Sequence, residues 1–267
     1  MIWNSLIWFV LIFLLCWGIG IVMLYRKNNP DRLPLVAKLA PVAGNISLLL
    51  FVIILWVQLD RPPMKTMAET RVLYSLFVSW ITWFIFLTTK SKWMYLLGMV
   101  MSLVFLIVDV LNPEYQSKNL MPALQSPWFI PHVVIYMIAY AVMAAACLSA
   151  VKGLVNLYKG KNDADSDINL AMKLVYPGMA LLTTGMLLGA IWAKIAWGNY
   201  WTFDPKETWA LLTWLFYLFT IHLHYACPKR KKLLLWILGL SFIVLIITWM
   251  GIRFLPSAMQ SIHVYGG

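Results

Sequence analysis

Trp197-Gly198-Asn199-Tyr200-Trp201-Thr202-Phe203-Asp204-Pro205-Lys206-Glu207-Thr208-Trp209 lies between two long apolar runs. Rings, two acids and a lysine are crowded into this one connection. Asp204 is a good N-cap, and Pro205 then falls at the first helical position, where a missing N–H costs nothing. Glu207, three residues after the cap, can bond back to it, giving a capping box with Asp in place of Ser or Thr. The aromatic part is therefore a loop, and a helix leaves it at about residue 205. That helix starts with its partly positive N-terminus beside a wall of rings. Such a place suits a planar apolar ligand that carries carboxylates. A second reading stands beside this one: Trp and Tyr gather at membrane interfaces as a belt, whatever the function. The belt accounts for scattered aromatics. It accounts less well for rings spaced closely around Gly198 and ending in a capped helix.

Outward from this stretch the chain is apolar. Of 267 residues 62% are hydrophobic and 12% charged, against about a quarter charged in soluble domains. The expected fold is all-α: a polytopic membrane helix bundle, one integral membrane domain over residues 1–267. A span needs roughly 20 apolar residues. Eight such spans are expected, at 3–25, 39–58, 72–88, 93–111, 132–154, 174–194, 205–225 and 233–251. The segment at 1–111 holds the four less diagnostic helices. Asn45 in the second span is expected to make a helix–helix hydrogen bond. Residues 60–71 read as a polar loop, Asp109 as interfacial and 152–173 as a solvated charged linker.

The net charge of +11 comes from Lys and Arg clustered between apolar runs. This is the pattern of cytoplasmic loops and not of a nucleic-acid-binding face. Fourteen of the twenty-one lie in the first-to-second, third-to-fourth, fifth-to-sixth and seventh-to-eighth connections. Those connections should face the cytoplasm, leaving both termini, the aromatic loop, His132 and His263 on the extracytoplasmic side. Cys16, Cys147 and Cys227 are far apart, with no CxxC and no CxxCH. They imply no disulfide framework, zinc site or haem held covalently by this chain. No P-loop or Gly-rich dinucleotide turn is present, which speaks against an ATP-driven pump.

There are four histidines, His132, His222, His224 and His263. Imidazole is a strong ligand for haem iron. His132 and His263 share the outer face with the aromatic loop, where convergent polar groups on an apolar surface mark a ligand site. The alternative for each is an interfacial imidazole bonded to a backbone carbonyl. His222 lies 15 residues beyond Glu207, about 22 Å along a helix. It is thus in the inner part of a hydrocarbon layer about 30 Å thick. It is either functional or a helix–helix hydrogen bond. His224 is about 200° round the helix from it and is expected to be interfacial.

The run Trp197-Gly-x-x-Trp201-x-Phe203-Asp204 resembles the tryptophan-rich "WWD" signature of the haem-handling proteins of cytochrome c assembly. Its continuation, Pro205-Lys206-Glu207-Thr208-Trp209-Ala210, resembles the CcsA (ResC-type) branch of System II. The resemblance covers about residues 127–266, the first four spans being similar in hydropathy only. It implies that Trp197, Gly198, Trp201, Phe203 and Asp204 form an outer haem-binding surface. It further implies that His132 and His263 ligate the iron there, and that His222 is the membrane-embedded histidine that holds haem on its way outward. Phe203 stands where the family usually has Trp, so an indole N–H is missing. No histidine lies in the first four spans, so a partner for His222 would come from another chain, a CcsB-type membrane subunit. The implied activity is export and presentation of haem b and, with that subunit, its covalent attachment to CxxCH motifs of apocytochrome c. That would make the chain a subunit of a holocytochrome c synthase in the cytoplasmic (inner) membrane. The alternative is a haem chaperone or transporter without synthase activity.

Overall fold

The computed structural model describes residues 2–26, 34–116, 126–160 and 164–254. Every regular element among them is helical. The α-helices are α1 (Leu6–Arg26), α2 (Leu35–Leu59), α3 (Met67–Thr89), α4 (Lys92–Leu111), α5 (Phe129–Tyr158), α6 (Ala164–Trp197), α7 (Pro205–Ala226) and α8 (Lys231–Ile246). A π-helical turn at Ile247–Gly251 and a 3₁₀ turn at Ile252–Phe254 follow α8. His263 lies outside the described residues.

Seven of these eight helices are long and apolar enough to cross a bilayer, which makes this a multi-pass membrane protein. The exception, α7, is 22 residues long but is punctuated by Thr208, Thr213, Thr220, His222 and His224. Large apolar side chains such as Leu15, Val57 and Leu187 stand more than 60% exposed. A water-facing surface would not hold so many, whereas hydrocarbon accepts them.

The chain divides into two compact units, Met1–Asn119 and Leu120–Gly267. In the first, α1 packs on α2 and α4, and α3 on α4 and α2. The Trp17 indole N–H donates to Asn45 Oδ1 at 3.0 Å between α1 and α2, as expected of a lone buried amide. Trp17 also meets the Tyr95 ring of α4 at 4.8 Å. The stretch expected as a polar loop at 60–71 is already helix from Met67. Thr66 caps α3 and forms a reciprocal capping box with Glu69, and Arg61 grips the Glu69 carboxylate with two nitrogens at 2.7 and 3.0 Å.

This earlier helix start gives Asp109, near the end of α4, a buried partner. Arg71 sits a full turn inside α3 and faces the end of α4, where it donates to Asp109 Oδ1 at 2.8 Å. The two side chains are 1% and 0% exposed. Each acts as the other's counter-charge, and removing one would leave an uncompensated charge in an apolar interior.

In the second unit α5 packs on α6 and α8, and α7 on α8 and α6. At 30 and 34 residues, α5 and α6 run about 45 and 51 Å, well beyond the roughly 30 Å of hydrocarbon. The excess corrects the expected solvated linker at 152–173, most of which is helix. Asp167 is 2% exposed and accepts from Lys152 Nζ at 2.6 Å and Asn156 Nδ2 at 2.7 Å. Ser149 Oγ donates to its backbone carbonyl at 2.9 Å. These bonds lock α5 to α6 at their polar ends.

Asp109→Ala should destabilise the protein by about 3–5 kcal/mol, and Arg71→Met/Asp109→Leu should recover most of that loss. Thermal unfolding in detergent measures both. Equal loss in the single and double variants would show that the pair is not what matters there.

Candidate functional site in the second unit

The aromatic loop is built around one carboxylate. Glu207, 9% exposed, accepts from the Thr202 amide at 2.7 Å, the Thr202 hydroxyl at 3.2 Å and the Asp204 amide at 3.2 Å, all on Oε2. Asp204 completes the reciprocal capping box read from sequence, accepting from the Lys206 amide at 2.9 Å. Its carboxylate is therefore turned onto the start of α7 and is 6% exposed. At the other end, α6 closes with Gly198 N–H donating to the Lys194 carbonyl at 3.0 Å. Gly198 has φ +85°, a conformation glycine adopts without a Cβ penalty. Lys194 Nζ then donates to the Gly198 carbonyl at 2.7 Å and lies 5.5 Å from the centre of the Tyr200 ring.

Phe203 has φ 57°. An L-residue in the left-handed region costs roughly 1–2 kcal/mol. The bonds from Thr202 and Asp204 to Glu207 hold the backbone on either side of it, and Thr208 Oγ1 donates to its carbonyl at 3.1 Å. The result is a ring 71% exposed, set edge-on to Trp201 at 6.1 Å. Tyr200 is 59% exposed. The loop thus holds apolar rings outward on a backbone fixed by a buried acid.

His132 lies in the first turn of α5, half-buried. Its Nδ1 is 2.8 Å from the Gly185 carbonyl of α6. A carbonyl only accepts, so Nδ1 carries the proton and Nε2 the lone pair. This is the arrangement in which a histidine serves as a metal ligand, one ring nitrogen orienting the other. The ring stacks on Trp192 at 5.6 Å and 25° and meets Tyr136 edge-on at 4.7 Å. Trp192 in turn touches Phe129 at 5.1 Å and Trp197 at 4.7 Å. Through Trp192, His132 is linked to the first residue of the aromatic stretch. The close approach depends on glycine. A Cβ at Gly189 would lie 2.6 Å from His132 Cε1, and one at Gly185 would lie 2.7 Å from Tyr136 Cδ1.

His222 is elsewhere, on an exposed face of α7. Its Nδ1 donates to the Leu218 carbonyl of its own helix at 2.8 Å, so its Nε2 also carries the lone pair. His224 packs edge-on against Tyr225 at 5.4 Å.

The model of the family described as "Cytochrome C assembly protein" matches residues 6–260. The chain belongs to the cytochrome c assembly protein family. Membership covers α1–α4 as well as the second unit, so the first four helices share more with the family than hydropathy. Among its relatives is the "Cytochrome c biogenesis protein CcsA" of Chlamydomonas reinhardtii, 31% identical over 245 residues. That alignment covers 84% of this chain and 66% of the relative, which is the longer protein. The protein of the same name in Mesostigma viride is 29% identical, over 92% of this chain and 90% of its own. That of Pyropia yezoensis is 31% identical, over 86% and 87%.

Within this assembly protein, the residues that position His132 are ones the sequence reading passed over. Trp192, Gly185 and Gly189 were hidden in an apolar run. Their spacing was the available signal. Residues 185, 189 and 192 recur at i, i+4 and i+7, one face of a helix, and that face meets α5. Lys194 likewise acts as a strut within the loop.

Gly189→Ala should drive the imidazole off the Gly185 carbonyl. Histidine-selective nitrogen NMR would then show His132 as a mixture of tautomers instead of the Nδ1–H form alone. Glu207→Gln should speed hydrogen exchange at the Thr202 and Asp204 amides by about tenfold or more, since bonds to a charged acceptor are worth about 1.5–3 kcal/mol each. Unchanged exchange would mean that the loop is held by something other than this carboxylate.

Proposed function

We propose that this assembly protein binds haem b and presents it on the extracytoplasmic side of the cytoplasmic membrane. There, with a CcsB-type membrane partner, the haem is joined covalently to the CxxCH thiols of apocytochrome c. The observation that carries this reading is the His132 imidazole. It is oriented by the Gly185 carbonyl, stacked on Trp192, and has its lone pair on Nε2. An imidazole so held has its ring plane and tautomer fixed for ligating iron. His263, in the chain's last stretch, would supply a second imidazole nitrogen to the iron. Trp197, Trp201 and Phe203 offer ring faces and edges to the macrocycle, with Gly198 and Asp204 shaping the loop that holds them.

In this scheme His222 binds haem nearer the cytoplasmic side before it moves outward. Both chain termini lie outside, with the aromatic loop. The charge bias supports that orientation, and it sharpens once Arg71, buried against Asp109, is no longer counted as a loop cation. The protein's share of the reaction is ligation and positioning. Addition of a thiol S–H across a vinyl group forms the carbon–sulfur bond and returns the proton to the neighbouring carbon, with no net redox change. The bond-making chemistry belongs to haem and thiol.

With His222→Ala present to empty the inner site, adding His132→Ala/His263→Ala should remove the remaining haem absorption of the purified protein. External imidazole should restore part of it. Normal spectra in the triple variant would overturn the assignment. Co-expression with a CcsB-type subunit and an apocytochrome should give covalently bound haem on denaturing gels. Haem binding without such product would favour a chaperone or transporter instead.

A further inference from the structure

At the C-terminal end of α7, about three turns into α6, two tyrosines meet across the helices. Tyr176 Oη and Tyr225 Oη are 3.0 Å apart and hydrogen-bonded. Both residues are exposed, at 38% and 69%. One phenol proton is used in the bond between them, and the pair as a unit keeps a second O–H to donate. An acceptor-only group such as a carboxylate satisfies it. One turn before Tyr176 on α6 is Lys173, also exposed, and the turn after α7 adds exposed Lys229 and Arg230.

Tyr225 is three residues beyond His222 on α7, and residues at that spacing are neighbours on a helix surface, about 5–6 Å apart at Cβ. In the other direction the exposed face of α7 is apolar: Phe219 is 53% exposed and Leu215 46%. From one end of this face to the other there is a cation, a phenol pair, an imidazole with its lone pair on Nε2, and an apolar stripe. A metalloporphyrin with carboxylates on one edge and hydrocarbon on the other has the same order of groups.

We propose that Tyr176 and Tyr225, with Lys173, anchor the propionates of a haem whose iron is ligated by His222 and whose apolar edge lies along Phe219 and Leu215. This rests on the reading of His222 as a haem ligand and adds to it the orientation of the ring and a preference for dicarboxylate porphyrins. The tyrosines are positioning residues: they select and orient, while the imidazole holds the iron. A belt of interfacial tyrosines would share the location but would not distinguish a carboxylate from its ester.

The test uses the full chain carrying His132→Ala/His263→Ala, so that only the inner site reports. In that background, Tyr176→Phe/Tyr225→Phe is expected to keep the histidine-ligated absorption spectrum. Haem should pass to an excess of apomyoglobin about tenfold faster, the loss of one to two hydrogen bonds to a charged group. Lys173→Gln should act in the same direction. Haem dimethyl ester supplies the readout that a packing role would not move. Esterification should weaken retention in the tyrosine-containing protein and have little further effect in the double-Phe variant. Equal sensitivity to esterification in both proteins would overturn the proposal while leaving His222 as a ligand. Absorption that is unchanged by His222→Ala would overturn both the proposal and the reading beneath it.

Discussion

The hydrogen bond from His132 Nδ1 to the Gly185 carbonyl is the interaction on which the candidate site depends. It selects a tautomer, fixes a ring plane and joins two helices at once. It forms only because α6 presents glycine at 185 and 189, where any side chain would displace the rings of Tyr136 and His132. A backbone carbonyl inside a helix normally has its lone pairs directed along the helix. Here one of them also serves a neighbouring element, and helix packing thereby becomes control of a ring nitrogen. The stack of His132 on Trp192, and of Trp192 against Phe129 and Trp197, follows from the same close approach.

The aromatic loop solves a different problem. It must hold apolar rings away from the core, where the hydrophobic effect would otherwise draw them in. The solution is a buried acid at the first turn of α7. Glu207 gathers three donors from the loop, and Asp204 caps the helix. The left-handed backbone at Phe203 is maintained by bonds on both sides of it. Exposure of that ring is therefore a stabilised feature of the loop. The same logic, a buried carboxylate gathering donors at a helix end, recurs at Glu69 with Arg61 and the Thr66 amide, and at Asp167 with Lys152 and Asn156.

Two histidines in the second unit share one device. In both His132 and His222 the Nδ1–H is given to a backbone carbonyl and the lone pair is placed on Nε2. The carbonyl comes from a neighbouring helix in one case and from the residue's own helix in the other. The first is anchored by tertiary contact and surrounded by rings. The second is set by local geometry and stands exposed, beside a hydroxyl pair. That difference suits a ring nitrogen held rigidly for a final geometry and one available on an open face for a passing ligand.

The local grammar of the chain was sufficient for the apolar spans and for the start of α7, though the equally local capping box at Thr66 and Glu69 was passed over. The apolar runs specified the helices, because hydrocarbon admits only a backbone that satisfies its own hydrogen bonds. The capping box at Asp204 and Glu207 was legible because it closes over three residues. The signature around Trp197 was enough to point to the family. What depends on long-range pairing was decided only by the fold. Asp109 has no evident partner until α3 starts early enough to bring Arg71 across to it. Asp167 reads as solvated until a long α5 delivers Lys152 and Asn156. Trp192 and the two glycines beside His132 are ordinary residues of an apolar run until α5 is laid against them. The physical reason is the same throughout: in an apolar medium a polar group's meaning lies in its partner, and the partner is named by packing and not by adjacency.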